Sequence, residues 1–234
     1  MKKIYINRIL FAFLLLIVIS SCKKALEINP VDTIEQKNAL LTSKDVEGAL
    51  VGAYADLGSR NFFGGRPFLM TDFLANTDAI EWFGTYEELT QAINKSLLKT
   101  NVYVDNVWAA GYTAINDANN VISAIDKVDA AKKSRVEGEA KFIRGAAYFE
   151  LVRLFGKAYN DGSPTTNPGV PIVLTPTNLV TEANYVSRAT VAAVYNQAIT
   201  DLTDAEAKLP ATNGFFCNQI CCCRNVSQNI PANG

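Results

Sequence analysis

Asp78, Glu81, Trp82, Phe83 and Tyr86 crowd two carboxylates and three aromatic rings into one short stretch. Two neighbouring carboxylates are the chemistry of glycoside hydrolysis, one as acid and the other as base or nucleophile. A spacing of three in an irregular segment does not fix their separation, and loop acids are ordinarily just solvated. The pair alone therefore defines no catalytic constellation. The rings are a different matter, because an irregular loop leaves aromatics free to face a ligand. The plainer alternative is that they pack beneath the loop. Histidine is absent, which excludes His-based triads, His general bases and His metal ligands. Cysteines 217, 221, 222 and 223 form a cluster near the end of the sequence. Structural zinc sites pair their ligands across a turn. Three adjacent thiols without histidine fit that pattern poorly, and a disulfide between neighbours is awkward. No metal or other cofactor is expected.

The remaining cysteine, Cys22, has a clearer context. Lys2, Lys3 and Arg8 form a charged leader, followed by an unbroken apolar run over residues 9–19. A spanning helix needs about 20 apolar residues, whereas a signal core needs only about 7–15. Residues 1–21 therefore read as a secretory signal. Its end, Ile19-Ser20-Ser21-Cys22, resembles the lipobox of bacterial lipoproteins, in which the cysteine thiol is lipidated and its new amine acylated. Several acyl chains, at about 0.8 kcal/mol per buried methylene, make a stable anchor. The alternative is an ordinary signal with an incidental cysteine. Residues 22–42, with Pro30 among polar side chains, read as a tether.

The elements that must position the aromatic stretch are helices. The chain has 234 residues and is 49% apolar, enough to bury a core. With 22 basic and 23 acidic residues, it offers no basic excess for nucleic acid. Thr42 or Ser43 can cap a first helix, with Asp45 and Glu47 suiting its positive end. Val46, Leu50, Tyr54 and Leu57 share one face of it, and Gly58 ends it. Residues 60–86 read as loop plus short helix, and 87–99 as a further helix. The spacing predicts a helix over 105–128, with Trp108, Tyr112, Ile115, Ile122 and Ile125 as its core stripe and Ala118 filling the gap. Another is expected over 131–155, apolar on more than one face and so packed on two sides. Gly138 and Gly145 would let a neighbour approach it closely. A proline-rich loop over 157–184 follows, with 170–173 extended. Thr190 then caps a last helix over 191–209, whose face is Val191, Val194, Tyr195, Ala198, Leu202, Ala205 and Leu209. Arg144 and Arg153 are expected to form structural pairs or line a groove, and Asn119 and Asn120 to bond neighbouring loops.

These residues carry a resemblance. Trp108-Ala-Ala-Gly-Tyr112-Thr-Ala-Ile115-Asn-Asp-Ala-Asn119-Asn120 is similar to a hallmark helix of the SusD/RagB lipoproteins. So is Gly138-Glu-Ala-Lys-Phe142-Ile-Arg144-Gly-Ala-Ala-Tyr148-Phe-Glu-Leu151-Val-Arg153-Leu-Phe155-Gly156. Gly169-Val-Pro171-Ile172, the segment from Arg188 to Pro210 and the start at Ser21-Cys22 continue the order. The resemblance implies an all-α fold of tetratricopeptide-like helix pairs with long irregular loops. It implies a lipid-anchored, surface-exposed outer-membrane protein that binds glycans or peptides and serves a TonB-dependent SusC-type transporter, without being an enzyme. The family's binding face uses aromatic platforms and polar groups. A pyranose offers an apolar face to stack and hydroxyls to hydrogen-bond. On that footing Asp78, Glu81, Trp82, Phe83 and Tyr86 become the candidate glycan platform, while Trp108 and Tyr112 belong to the core. A helical-repeat interaction module with no small ligand is the competing reading.

Family chains are more than twice this long, so the resemblance covers an amino-terminal part, with the helical domain over 43–216. Residues 217–234 show no hydrophobic period. One extra T in a T-rich run encoding Phe215 to Cys217 would account for them. Permitted codons in the other frame spell an alanine-rich amphipathic helix, and the cysteines would be alanine codons read one base early.

Overall fold

The computed structural model describes residues 39–75, 80–178 and 181–220. The leader, the lipobox with Cys22, Asp78 and the Cys221 to Cys223 run lie outside the described residues. Six α-helices are present among those described: α1 (Ser43–Leu57), α2 (Arg66–Ala75), α3 (Glu87–Ile93), α4 (Val102–Ser123), α5 (Ala130–Phe155) and α6 (Val191–Lys208). No strand is present among the described residues, only an isolated bridge between Pro168 and Thr190. The fold is all-α, built of packed helix pairs.

The helices begin where side chains can satisfy their first amides. Thr42 caps α1 in a reciprocal box, its hydroxyl accepting from the Asp45 amide while the Asp45 carboxylate accepts from the Thr42 amide. The Asn101 side chain accepts from the amides of Tyr103 and Val104 at the start of α4. The Thr190 hydroxyl accepts from the Ala193 amide at the start of α6. The start of α4 lies three residues before the periodicity places it, because that cap sits outside the apolar stripe. Its end lies at Ser123, and a 3-10 turn, Ile125–Lys127, takes up the remaining expected length.

Helix α5 is central and packs against α1, α4 and α6. That contact on several sides is why its apolar residues cover more than one face. Ile143, Ala147, Leu151 and Val152 are fully buried within it, and each large side chain so buried contributes about 1.5–3 kcal/mol. Close approach follows from glycine. A Cβ on Gly145 would lie 2.9 Å from Leu202 Cγ and 3.0 Å from the Ala198 carbonyl oxygen, both on α6. A Cβ on Gly111 of α4 would lie 2.8 Å from Leu151 Cδ2 of α5.

The stripe that α4 buries is rotated from the expected one, sharing Ile115 and Ala118 with it. Val107, Gly111, Ala114, Ala118 and Val121 are buried, together with Ile115. Trp108, Tyr112 and Ile122 flank the core and are only partly buried. Small residues face the neighbouring helices because the axes lie too close for an indole between them. The bulky stripe is rotated to the edge of that contact.

A second, smaller cluster holds Met70, Phe73, Leu89 and Ala92, with Trp82, Tyr103 and Val104 packed against it. It ties α2 and α3 to the first turn of α4. The Arg66 guanidinium stacks 3.9 Å over the Tyr103 ring. Cys217 is buried beside Ala205 and Leu209. Its amide donates to the Tyr54 hydroxyl, and Asn213 Nδ2 donates to its carbonyl. No described helix is long and apolar enough to cross a membrane.

Candidate functional site

The loop carrying the candidate platform divides its aromatics. Trp82 turns inward: its ring lies 5.5 Å from Phe73, and Nε1 donates to Thr90 Oγ1 at 3.0 Å. It also lies directly over Gly84, where any Cβ would collide with the indole at 2.1 Å. Phe83 and Tyr86 turn outward and are 88% and 62% exposed. Glu81 is exposed beside them. Trp82 thus fixes the backbone from which two rings and a carboxylate project. Among the described residues no group of three or more acidic or thiol side chains is placed to hold a metal ion.

A second region is built from α4, α5 and the long loop that returns to α6. The loop is irregular, so its backbone groups need partners, and helix side chains supply them. Tyr112 Oη donates to the Pro171 carbonyl at 2.8 Å. Tyr148 Oη donates to the Val173 carbonyl and accepts from the Val173 amide, both at 2.7 Å. Burial pushes the Tyr148 phenol up to about 12, so it remains a donor throughout the neutral range. Asn119 Nδ2 donates to the carbonyls of Val173 and Thr175. Asn116 Oδ1 accepts from the Thr177 amide at 2.7 Å. Beneath them, Arg144 holds Asn119 Oδ1 at 2.9 Å and clasps Asp201 of α6 through Nε and Nη2, at 2.8 and 2.7 Å. Arg188 closes the base by donating to the carbonyls of Gly169 and Phe155. One ladder of polar side chains therefore sets the course of the loop over residues 169–177.

Between that loop and α4 lies a cleft of about 530 Å³. Trp108 and Tyr112 line it, ring centroids 4.9 Å apart and planes inclined at 44°. Phe155 meets Trp108 edge-on at 5.0 Å from behind. Asn116, Thr177, Tyr185 and Val186 complete the rim. Assignment of Trp108 and Tyr112 to the core is thus corrected: one side of each ring packs, and the other forms a wall. Periodicity marks a residue as apolar and helical. It does not distinguish the middle of an interface from its margin. Tyr185 carried no sequence signal, since it lies in a loop without a period.

Closely packed helix pairs, with a loop laced across them, define the class of protein. The chain belongs to the SusD-like family: the match to the family described as "Starch-binding associating with outer membrane" spans residues 32–216. SusD-like protein P2 of Formosa agariphila is 28% identical over 200 residues, covering 85% of this chain and 37% of the relative. A SusD superfamily protein from Bacteroides thetaiotaomicron superposes with a TM-score of 0.69 at 25% identity, covering 80% of this chain and 42% of the other. A SusD-like carbohydrate binding protein from Bacteroides vulgatus has the same fold, with a TM-score of 0.67 at 21% identity, covering 80% and 41%. The chain spans less than half the length of these relatives.

Proposed function

We propose that this chain is a surface glycan-binding lipoprotein of the outer membrane, lipid-anchored through Cys22. It captures oligosaccharide, or a peptide in its place, and passes it to a TonB-dependent SusC-type transporter. It binds without cleaving and is not an enzyme. Residues 1–21 are the lipoprotein signal, 22–42 the tether, 43–216 the helical domain and 217–234 an out-of-frame tail. The family match stops at residue 216, immediately before Cys217, in keeping with that boundary.

The observation that carries the ligand reading is the exposure of Phe83 and Tyr86 on a loop that Trp82 anchors. Large rings left in water on a fixed backbone favour a ligand with an apolar face. Glu81, with Asp78 upstream, supplies acceptors for sugar hydroxyls. Each stacked ring is worth about 0.5–1.5 kcal/mol. The double variant Phe83→Ala/Tyr86→Ala is expected to weaken oligosaccharide binding about tenfold or more in calorimetric titration. Trp82→Ala is expected to weaken it indirectly, by releasing the loop. Unchanged affinity in the double variant would remove this site. Capture of proteins with no affinity for any glycan or peptide would favour an interaction module.

A further inference from the structure

The cleft along α4 borders the polar ladder that fixes the loop over residues 169–177. The ladder beside it uses up the polar atoms of Tyr112, Asn119 and Tyr148. Other groups on the cleft differ. Asn116 accepts from the Thr177 amide through Oδ1, but its Nδ2 donates to no described residue. The indole N–H of Trp108 and the hydroxyl of Tyr185 likewise meet no described partner. Tyr185 is 79% exposed and lines the same cleft as the Trp108 and Tyr112 rings.

The lining also selects by charge. None of its residues is acidic or basic, so a phosphate, carboxylate or ammonium ligand would leave its own charge uncompensated on entering. A neutral occupant with hydroxyls for the two N–H groups and the phenol, and an apolar face for the rings, fits every wall. The volume of about 530 Å³ lies in the range of small-ligand sites. We infer that this cleft is a second saccharide subsite, separate from the loop platform, with Trp108 as its floor, Asn116 as its donor and Tyr185 as its outer wall. The inference rests on the carbohydrate reading above.

The chain has two tryptophans, Trp82 and Trp108, so Trp82→Phe leaves Trp108 as the only indole reporter. The unsubstituted full chain would be titrated by calorimetry, and the Trp82→Phe variant by tryptophan emission, with the same panel of neutral soluble oligosaccharides, α-glucan and β-linked. The expected result is a saturable shift of Trp108 emission, with affinity weakened about fivefold by adding Tyr185→Ala. Tyr185 is exposed, so its removal leaves the core intact, and an unchanged melting temperature verifies this. Oligosaccharide binding by calorimetry with Trp108 emission unmoved and no effect of Tyr185→Ala overturns the subsite and leaves the carbohydrate reading standing. Absence of binding to every member of the panel by the unsubstituted chain overturns both.

Discussion

Arg144 shows how much a single buried charge can organise. Its side chain is almost wholly buried, and its three bonded nitrogens reach Asp201 on α6 and Asn119 on α4. A buried pair of this kind gains little over an apolar replacement, yet removing one partner strands the other charge. Asp201→Ala is therefore expected to destabilise the fold by about 3–5 kcal/mol in urea titration. Replacing both, as Arg144→Met with Asp201→Leu, should recover most of that loss. Equal damage from the single and double changes would show that the charge itself is not the cause. The expectation that Asn119 bonds a neighbouring loop is met, and Arg144 does form a structural pair. Glu150 provides the pair expected for Arg153, at 2.5 Å. Asp201 was illegible beforehand as a partner, because it lies 57 positions from Arg144 and no local pattern links them, whereas Glu150 lies one helical turn before Arg153.

Among the elements, the crossing of α1 and α4 and that of α5 and α6 make separate claims. Where α1 meets α4, burial pushes the Asp117 carboxyl up to about 7, and the hydrogen bond and charge of Asp56 add to the shift. The folded chain thus holds a proton that the unfolded chain releases near pH 4. Stability from this site is complete below about pH 4 and declines as pH rises through about 7. The site is half-buried, so the loss is on the order of 1–2 kcal/mol after allowance for solvent screening. Thermal melts at pH 5 and pH 8 should show it, and Asp117→Asn should abolish the difference attributable to this site. At the other crossing, alanine in place of Gly145 would gain helix propensity worth about 1 kcal/mol. The contacts with Leu202 and the Ala198 carbonyl oppose that gain, and over-packing costs about 1–3 kcal/mol. A net loss of stability is expected for Gly145→Ala, and a rise in melting temperature would contradict the observed closeness of α5 and α6. Both glycines expected to admit a neighbour do so, with Gly138 facing Lys208 and Leu209.

At the scale of the whole molecule, anchoring and capture are separable. The lipobox reading predicts that Cys22→Ser moves the protein from the membrane fraction to a soluble one and abolishes incorporation of labelled palmitate. Persistent membrane association of that variant would mean that something other than lipid holds the protein there. The frame-shift reading predicts a T-rich run at the codons for Phe215 to Cys217, with a family-like helix encoded one base away. Sequencing of the locus checks both features. Described aromatics outside the core, Phe83, Tyr86 and Tyr185 among them, are large rings left in water.

Helix identity and order were legible because they depend on local terms. Thr42 and Thr190 are good caps wherever they occur, and a Val46, Leu50, Leu57 stripe faces one way in any helix. Family membership was legible for the same reason, since its motifs lie within single helices. Tertiary packing decided which side of α4 is buried. Axial separation depends on both partners, and the glycine and alanine stripe allows an approach that large side chains would prevent. Packing also turned Trp82 inward against Phe73, and brought Tyr185 to the same cleft as Trp108. The burial of α4 and the course of the loop beside it depend on contacts between segments far apart in the chain, whose energies exist only once the helices have met.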